Sequence, residues 1–285
     1  MTDTDTDTDT STSGWQGFWD QGRWWKAVLA IVLYLVLYTI ATRGVVAVAG
    51  DRIDGNNLLA TPASIFLGIG APLVVGAIIL VAFVVSLGWL RPLFARQPVD
   101  GPRWMWAFVV LAIVPIVLRL MGIDYGSYPG GVVATTLLVG LFIGFTEELL
   151  YRGIVVKILR DAGHRERIVA LLSALLFAFS HTVNLIGGQP VLTVALTVAF
   201  TFGFGLTMYL VMRATGHLVW AMLLHALTDP TTILAAGGVD VAGASAAHNP
   251  ELSLAAPFNI VFIVAGVIAL FFIRGHATTR PGLHP

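Results

Sequence analysis

Residues 131–156 read GVVATTLLVGLFIGFTEELLYRGIVV, and the fold turns on the two adjacent glutamates inside this run, Glu147 and Glu148. The stretch is long enough to cross a bilayer, which takes roughly 20 apolar residues. An ionisable side chain at membrane depth costs about 2.5–3.5 kcal/mol on insertion scales, so carboxylates retained there point to use. Arg152 follows Glu148 by one helical turn. Two more apolar runs each hold a histidine, His181 in FAFSH and His225 in LLHALTD.

The same length criterion places eight spans, near 26–48, 64–88, 104–122, 131–155, 168–187, 190–212, 217–236 and 255–274. Composition agrees: 57% of the 285 residues are hydrophobic and only 11% charged, with mean hydropathy +0.85. A soluble domain carries about 25% charged residues. The expected fold is therefore an all-α polytopic bundle in a cell membrane. With no cysteine in the chain, disulfides, thiolate nucleophiles and thiolate metal sites are excluded. No signal peptide precedes the first apolar run, which must serve as its own insertion signal.

Charge sets the expected orientation. Of the 16 Lys and Arg, 13 fall in the tail, the even-numbered loops and the C-terminus, leaving only Arg43, Arg52 and Arg119 on the opposite side. The positive-inside rule then makes both termini cytoplasmic. Residues 1–25 read as a disordered Thr/Asp-rich tail followed by an aromatic segment at the interface, with Trp15, Phe18, Trp19, Trp24 and Trp25. Residues 26–125 hold the first three spans, and 126–236 a core of spans four to seven. The remainder, 237–285, supplies an outer loop with Asp240 and Glu251, the last span and a C-terminal tail.

Glu148 and Arg152 lie four apart, acid first, the better order for a helical ion pair. Such a pair reads equally well as a device that fixes helix register. It explains Glu147 poorly, because one arginine does not neutralise two carboxylates. Thr136, Gly140, Gly144, Glu147 and Tyr151 form a stripe at helical spacing whose small members let a neighbouring helix approach closely. Glu147 is therefore expected to face the bundle interior, with Glu148 and Arg152 clamped beside it.

The charged stretch from Lys157 to Arg167 cannot lie in lipid, so spans four and five form a hairpin turning near Gly163. Glu147 is 16 residues before that turn and His181 is 18 after it, which sets them level. Glu147 and His225 each lie roughly 12 Å inside their nearest basic boundary at 1.5 Å per residue. His225 and Asp229 share a helix face. A carboxylate and two imidazoles, with no serine or cysteine at comparable spacing, favour activation of water. HExxH is absent, so spacing alone assigns no metal. Glu147, His181 and His225 remain candidates for a three-ligand zinc site.

Glu147-Glu148-Leu149-Leu150-Tyr151-Arg152 resembles the EExxxR motif of the CPBP (CAAX protease and bacteriocin-processing, Abi) family. Phe177 to His181 resembles its FxxxH motif, and His225 to Asp229 its HxxxN/D motif. The resemblance covers about residues 130–235. It implies an intramembrane endopeptidase of the type II CAAX prenyl endopeptidase kind, in which Glu147 and His181 activate water. His225 and Asp229 would hold the oxyanion or substrate, and Glu148 with Arg152 would order the site. Asp229 departs from members with a neutral Asn, and as a carboxylate it accepts where an amide could donate. That leaves a metal or proton-relay role open beside the oxyanion role.

The family also includes immunity and scaffold proteins, so a non-catalytic membrane protein is the alternative. A proton-coupled transporter is a further one, disfavoured by the lack of an inverted repeat or paired broken helices. The expected partners are the lipid bilayer and a membrane-associated protein or peptide substrate, with no nucleic acid. The Ala-, Val- and Gly-rich composition suggests a bacterial chain, for which prenylated substrates are not expected.

Overall fold

The computed structural model describes residues 14–238 and 249–277. The Thr/Asp run before Gly14, Asp240 and His248, and Arg280 and His284 lie outside the described residues. Every regular element among the described residues is helical, with no strand. Water is absent from a bilayer core, so a chain this apolar must satisfy its backbone groups within each segment, which helices do.

Eight helical segments are long and apolar enough to cross a membrane. They are Trp24–Arg52, Pro62–Ser86, Arg103–Gly122, Val132–Asp161, Glu166–Leu185, Val191–Thr215, Leu218–Ala236 and Pro250–Leu270, called here the first to eighth spans. Local chemistry fixes their ends. Thr61 caps the second span by accepting from Ser64 N at 3.0 Å, with Pro62 following where no amide hydrogen is needed. The hairpin between the fourth and fifth spans turns at Gly163, φ +78°, as the charge pattern predicts. The eighth span differs from expectation at its start. Residues 250–255 are already helical under an Asn249 cap, so Glu251 sits in a helix and not in a loop. The segment bends near Pro257 before Phe258–Leu270.

The fourth span is the centre of the bundle, and its closest partner is the seventh. Gly140 and Gly144 make that approach. A Cβ on Gly140 would lie 2.5 Å from Ala226 O, and one on Gly144 would lie 2.4 Å from Met222 O. Only a bare backbone fits there. Beyond Glu148 the helix widens to π-type winding over Leu149–Val155, a stretch that contains Arg152. The first span lies at the rim, with most of its surface outside the bundle.

Two features correct the reading of the charged and aromatic ends. Trp19, read as part of an interfacial belt, is 1% exposed. It packs edge-on to Phe83 at 4.9 Å within a short helix, Gly14–Asp20, that folds back on the bundle. Trp15, Phe18, Trp24 and Trp25 do remain exposed. At the basic end, Arg160 and Arg213 are not solvated loop charges. Arg160 donates Nε and Nη2 to the two carboxylate oxygens of buried Glu166, each at 2.8 Å. Arg213 Nη1 joins at 2.7 Å, and the Tyr209 hydroxyl donates to the same carboxylate. Glu166 N in turn donates to Gly275 O at 3.1 Å. The cluster ties the fourth, fifth and sixth spans to the C-terminal segment.

Candidate active site

Glu147 and Glu148 are neighbours in sequence and separate in environment. About 100° of helical rotation divides them. Glu148, on the Gly140–Gly144 face, enters the contact with the seventh span and is fully buried. Its Oε1 lies 3.0 Å from Arg152 Nη1 and 2.7 Å from His225 Nδ1. The arginine contact has ion-pair distance without hydrogen-bond alignment, and Glu148 Oε2 finds no partner among the described residues. The Arg152 guanidinium also lies over the Phe177 ring, 4.5 Å from its centre. Phe177 thereby meets three members of the constellation, because its ring packs edge-on to both His181 and His225.

Glu147 turns the other way. Its side chain keeps 27% of its surface and lines a cavity of about 190 Å³. The expectation that Glu147 would be the interior acid with Glu148 beside it is thus reversed: Glu148 is the sealed member and Glu147 the accessible one. Tyr34 and Tyr38 of the first span, Tyr151, Ser180 and His181 share the cavity wall. A water takes about 30 Å³ of liquid, so the space holds several waters or one side chain with its backbone.

His181 stands where the helix Glu166–Ser180 tightens into a 3-10 turn. Its Nδ1 lies 3.0 Å from Phe177 O. A carbonyl only accepts, so Nδ1 carries the hydrogen of that bond and Nε2 is left for the cavity. His225, buried on the seventh span, presents Nε2 to Asp229 Oδ2 at 3.5 Å and to Glu147 Oε2 at 3.6 Å. The structure therefore joins Glu147, Glu148, Arg152, His225 and Asp229 directly, and brings His181 in across the cavity. The tight imidazole contact is made by Glu148 from the neighbouring span, not by Asp229 one turn away.

Residues 129–231 match the family model described as Type II CAAX prenyl endopeptidase Rce1-like. The matched segment begins just before the fourth span and holds all six residues singled out above. It agrees with the family resemblance carried by the three motifs, and at family level it implies a membrane protease. No curated protein and no solved structure matches the chain.

A zinc site needs three side-chain ligands, about 2.0–2.2 Å from the ion for nitrogen and oxygen donors. Among the described residues no group of three His, Asp or Glu is arranged to hold a metal ion. His225 Nδ1 is engaged by Glu148, and His181 Nδ1 by a backbone carbonyl, which leaves Nε2 of each ring as the nitrogen that could ligate.

Some members of the constellation escaped the sequence reading. Tyr34 and Tyr38, one turn apart in the first span, gave a spacing signal that could have marked a lining face. Tyr34 is accommodated because its neighbour in the second span is Gly76, where a Cβ would lie 2.6 Å from the tyrosine oxygen. Arg119, taken as a boundary charge, is also buried, in the last turn of the third span's helix.

Proposed function

We propose that the chain is an intramembrane endopeptidase that hydrolyses a peptide bond of a membrane-associated protein or peptide. The observation that carries this reading is the partition of the glutamate pair. Glu147 opens to a cavity with His181 on its wall, while Glu148 is sealed against Arg152 and His225.

In this reading a water held between Glu147 and His181 Nε2 gives its proton to the Glu147 carboxylate as its oxygen attacks the scissile carbonyl carbon. A carboxylate that faces such a cavity can take that proton as the general base. The carbonyl oxygen becomes an oxyanion, and His225, as an imidazolium whose Nδ1–H is held by Glu148, donates to it from Nε2–H. Collapse of the tetrahedral intermediate breaks the C–N bond. Glu147 returns the proton to the leaving amine, so the enzyme ends as it began. Arg152 holds Glu148 in place, and Asp229 flanks the histidine ring. Side chains and water carry every step.

The basic end of the bundle would face the cytoplasm of a bacterial cell membrane, with 13 of the 16 Lys and Arg on that side. The test is to compare fragments released in native membranes by wild type and by Glu147→Gln, with new N-termini labelled chemically. Fragments present only with wild type support the peptidase. Identical fragment sets overturn it.

A further inference from the structure

The 3-10 winding of His181–Leu185 sets Asn184 over His181, because residues three apart eclipse at three residues per turn. In a continued α-helix the two would diverge by about 60°. Both residues line the chamber that Glu147 faces. The neighbouring polar groups on this wall are turned back on their own helix. Ser180 Oγ donates to Phe177 O at 2.6 Å, and His181 Nδ1 engages the same carbonyl at 3.0 Å. The Asn184 side chain differs: its carboxamide makes no hydrogen bond among the described residues. Its main-chain oxygen instead holds the segment, accepting from Gln189 N at 3.1 Å. The segment packs on the sixth span, so a fixed element presents the amide to the chamber.

A peptide at membrane depth has no bulk water for its N–H and C=O groups, so the protein must pair them. A carboxamide carries an acceptor and a donor side by side, and can meet the N–H and C=O of one residue as a neighbouring strand does. At about 2.0 Å of rise per residue, Asn184 stands about 6 Å along the axis from His181. An extended peptide advances about 3.3 Å per residue, so that distance is about two residues. Residues two apart present their main-chain groups to the same side of a strand. We propose that Asn184 is a substrate-binding residue: its carboxamide pairs with the main chain of an extended peptide about two residues from the bond that is cut. This rests on the reading of Glu147 and His181 as the pair that activates water. The contact reads backbone, so it is common to any peptide, whatever side chains the tyrosine wall admits.

The test uses the full chain in lipid nanodiscs and a quenched fluorescent peptide built on a cleavage site mapped from the Glu147-dependent fragments. The peptide is made in parent form and with single N-methyl groups at the amides flanking the cleaved bond, each removing one N–H donor. Asn184→Leu keeps the branched shape and removes both hydrogen-bonding atoms. It should raise KM about 5–20-fold with kcat within about threefold, as expected for one or two lost contacts to bound substrate. Thermal unfolding should not change, because the amide holds nothing within the protein. In wild type, the peptide methylated about two residues from the cleaved bond should show a similar rise in KM, and Asn184→Leu should add nothing further to it. A merely structural asparagine would instead lower the unfolding temperature and slow every peptide by the same factor. That pattern, or an unchanged KM for the parent peptide, overturns the proposal. Glu147-dependent cleavage that is indifferent to Asn184 overturns this contact alone. The absence of any Glu147-dependent fragment overturns the peptidase reading and this contact with it.

Discussion

His225 Nδ1 lies 2.7 Å from Glu148 Oε1, across the interface between the seventh and fourth spans. That single contact fixes the imidazole in orientation. It also assigns the glutamate pair its division of labour, since the acid that holds the ring is not the acid that faces the cavity. Glu148 is spent on the histidine and on Arg152, and Glu147 is free for chemistry.

Glu147→Gln should therefore reduce proteolysis by at least the roughly 10²-fold that a general base contributes, with the melting temperature of purified protein unchanged or raised. Arg152→Ala should act differently. It strands Glu148 beside His225 at a cost of about 3–5 kcal/mol, so it should show first as a lower protein level in membranes. An immunity phenotype that persists at full strength in Glu147→Gln and His181→Ala would favour the scaffold alternative.

Gly144→Ala tests the close approach that makes the contact. In an open helix this change gains about 1 kcal/mol. Here the new methyl would sit 2.4 Å from Met222 O and 2.5 Å from Ala226 N, backbone atoms that cannot move aside. The sign should reverse, to a loss of about 1–3 kcal/mol. Thermal unfolding would read it, and fragment release should fall as Glu148 is pushed from His225.

Asp229→Asn and chelation together examine the metal question. The donors converge on no three-ligand centre. Activity should then survive prolonged dialysis against a strong chelator, and Asp229→Asn should stay active under the same treatment. Purified enzyme that carries stoichiometric zinc and loses activity on its removal would refute this. In that case Asp229→Asn should also weaken metal binding by about 10–100-fold.

Topology is testable with reporter fusions. Those placed after Arg96, Arg160 and Arg213 should report cytoplasm, and one after Gly238 the opposite side. A cytoplasmic signal at Gly238 would break the eight-span arrangement in the membrane.

Much of the architecture was legible because bilayer crossing is a one-dimensional property. Apolar length, the Lys157 to Arg167 interruption and Gly163 suffice for the spans and the hairpin between the fourth and fifth. The Glu148–Arg152 pair and the small-residue stripe were legible because both lie within one helix. The rest depends on which helix stands beside which. The sequence places Glu147 and Glu148 100° apart, but only the position of the seventh span decides which is sealed. Arg119 reads as a boundary charge because nothing near it in the chain marks it as buried. Arg160 and Arg213 look solvated until Glu166 is seen between them. The widened turn at Leu149–Val155 leaves no mark in composition at all.

The Tyr34 and Tyr38 side of the cavity bears on how such a protein can diverge. Every acid and histidine of the site lies within residues 129–231, yet one wall of the chamber belongs to the first span. The reactive groups and the surface that a substrate would brush against are thus inherited on different stretches of chain. Replacing Tyr34 or Tyr38 changes the contour of the chamber while leaving the reactive groups untouched. Related chains could therefore keep one chemistry and drift in what they accept, with the variation concentrated in a span that holds no charged member of the site.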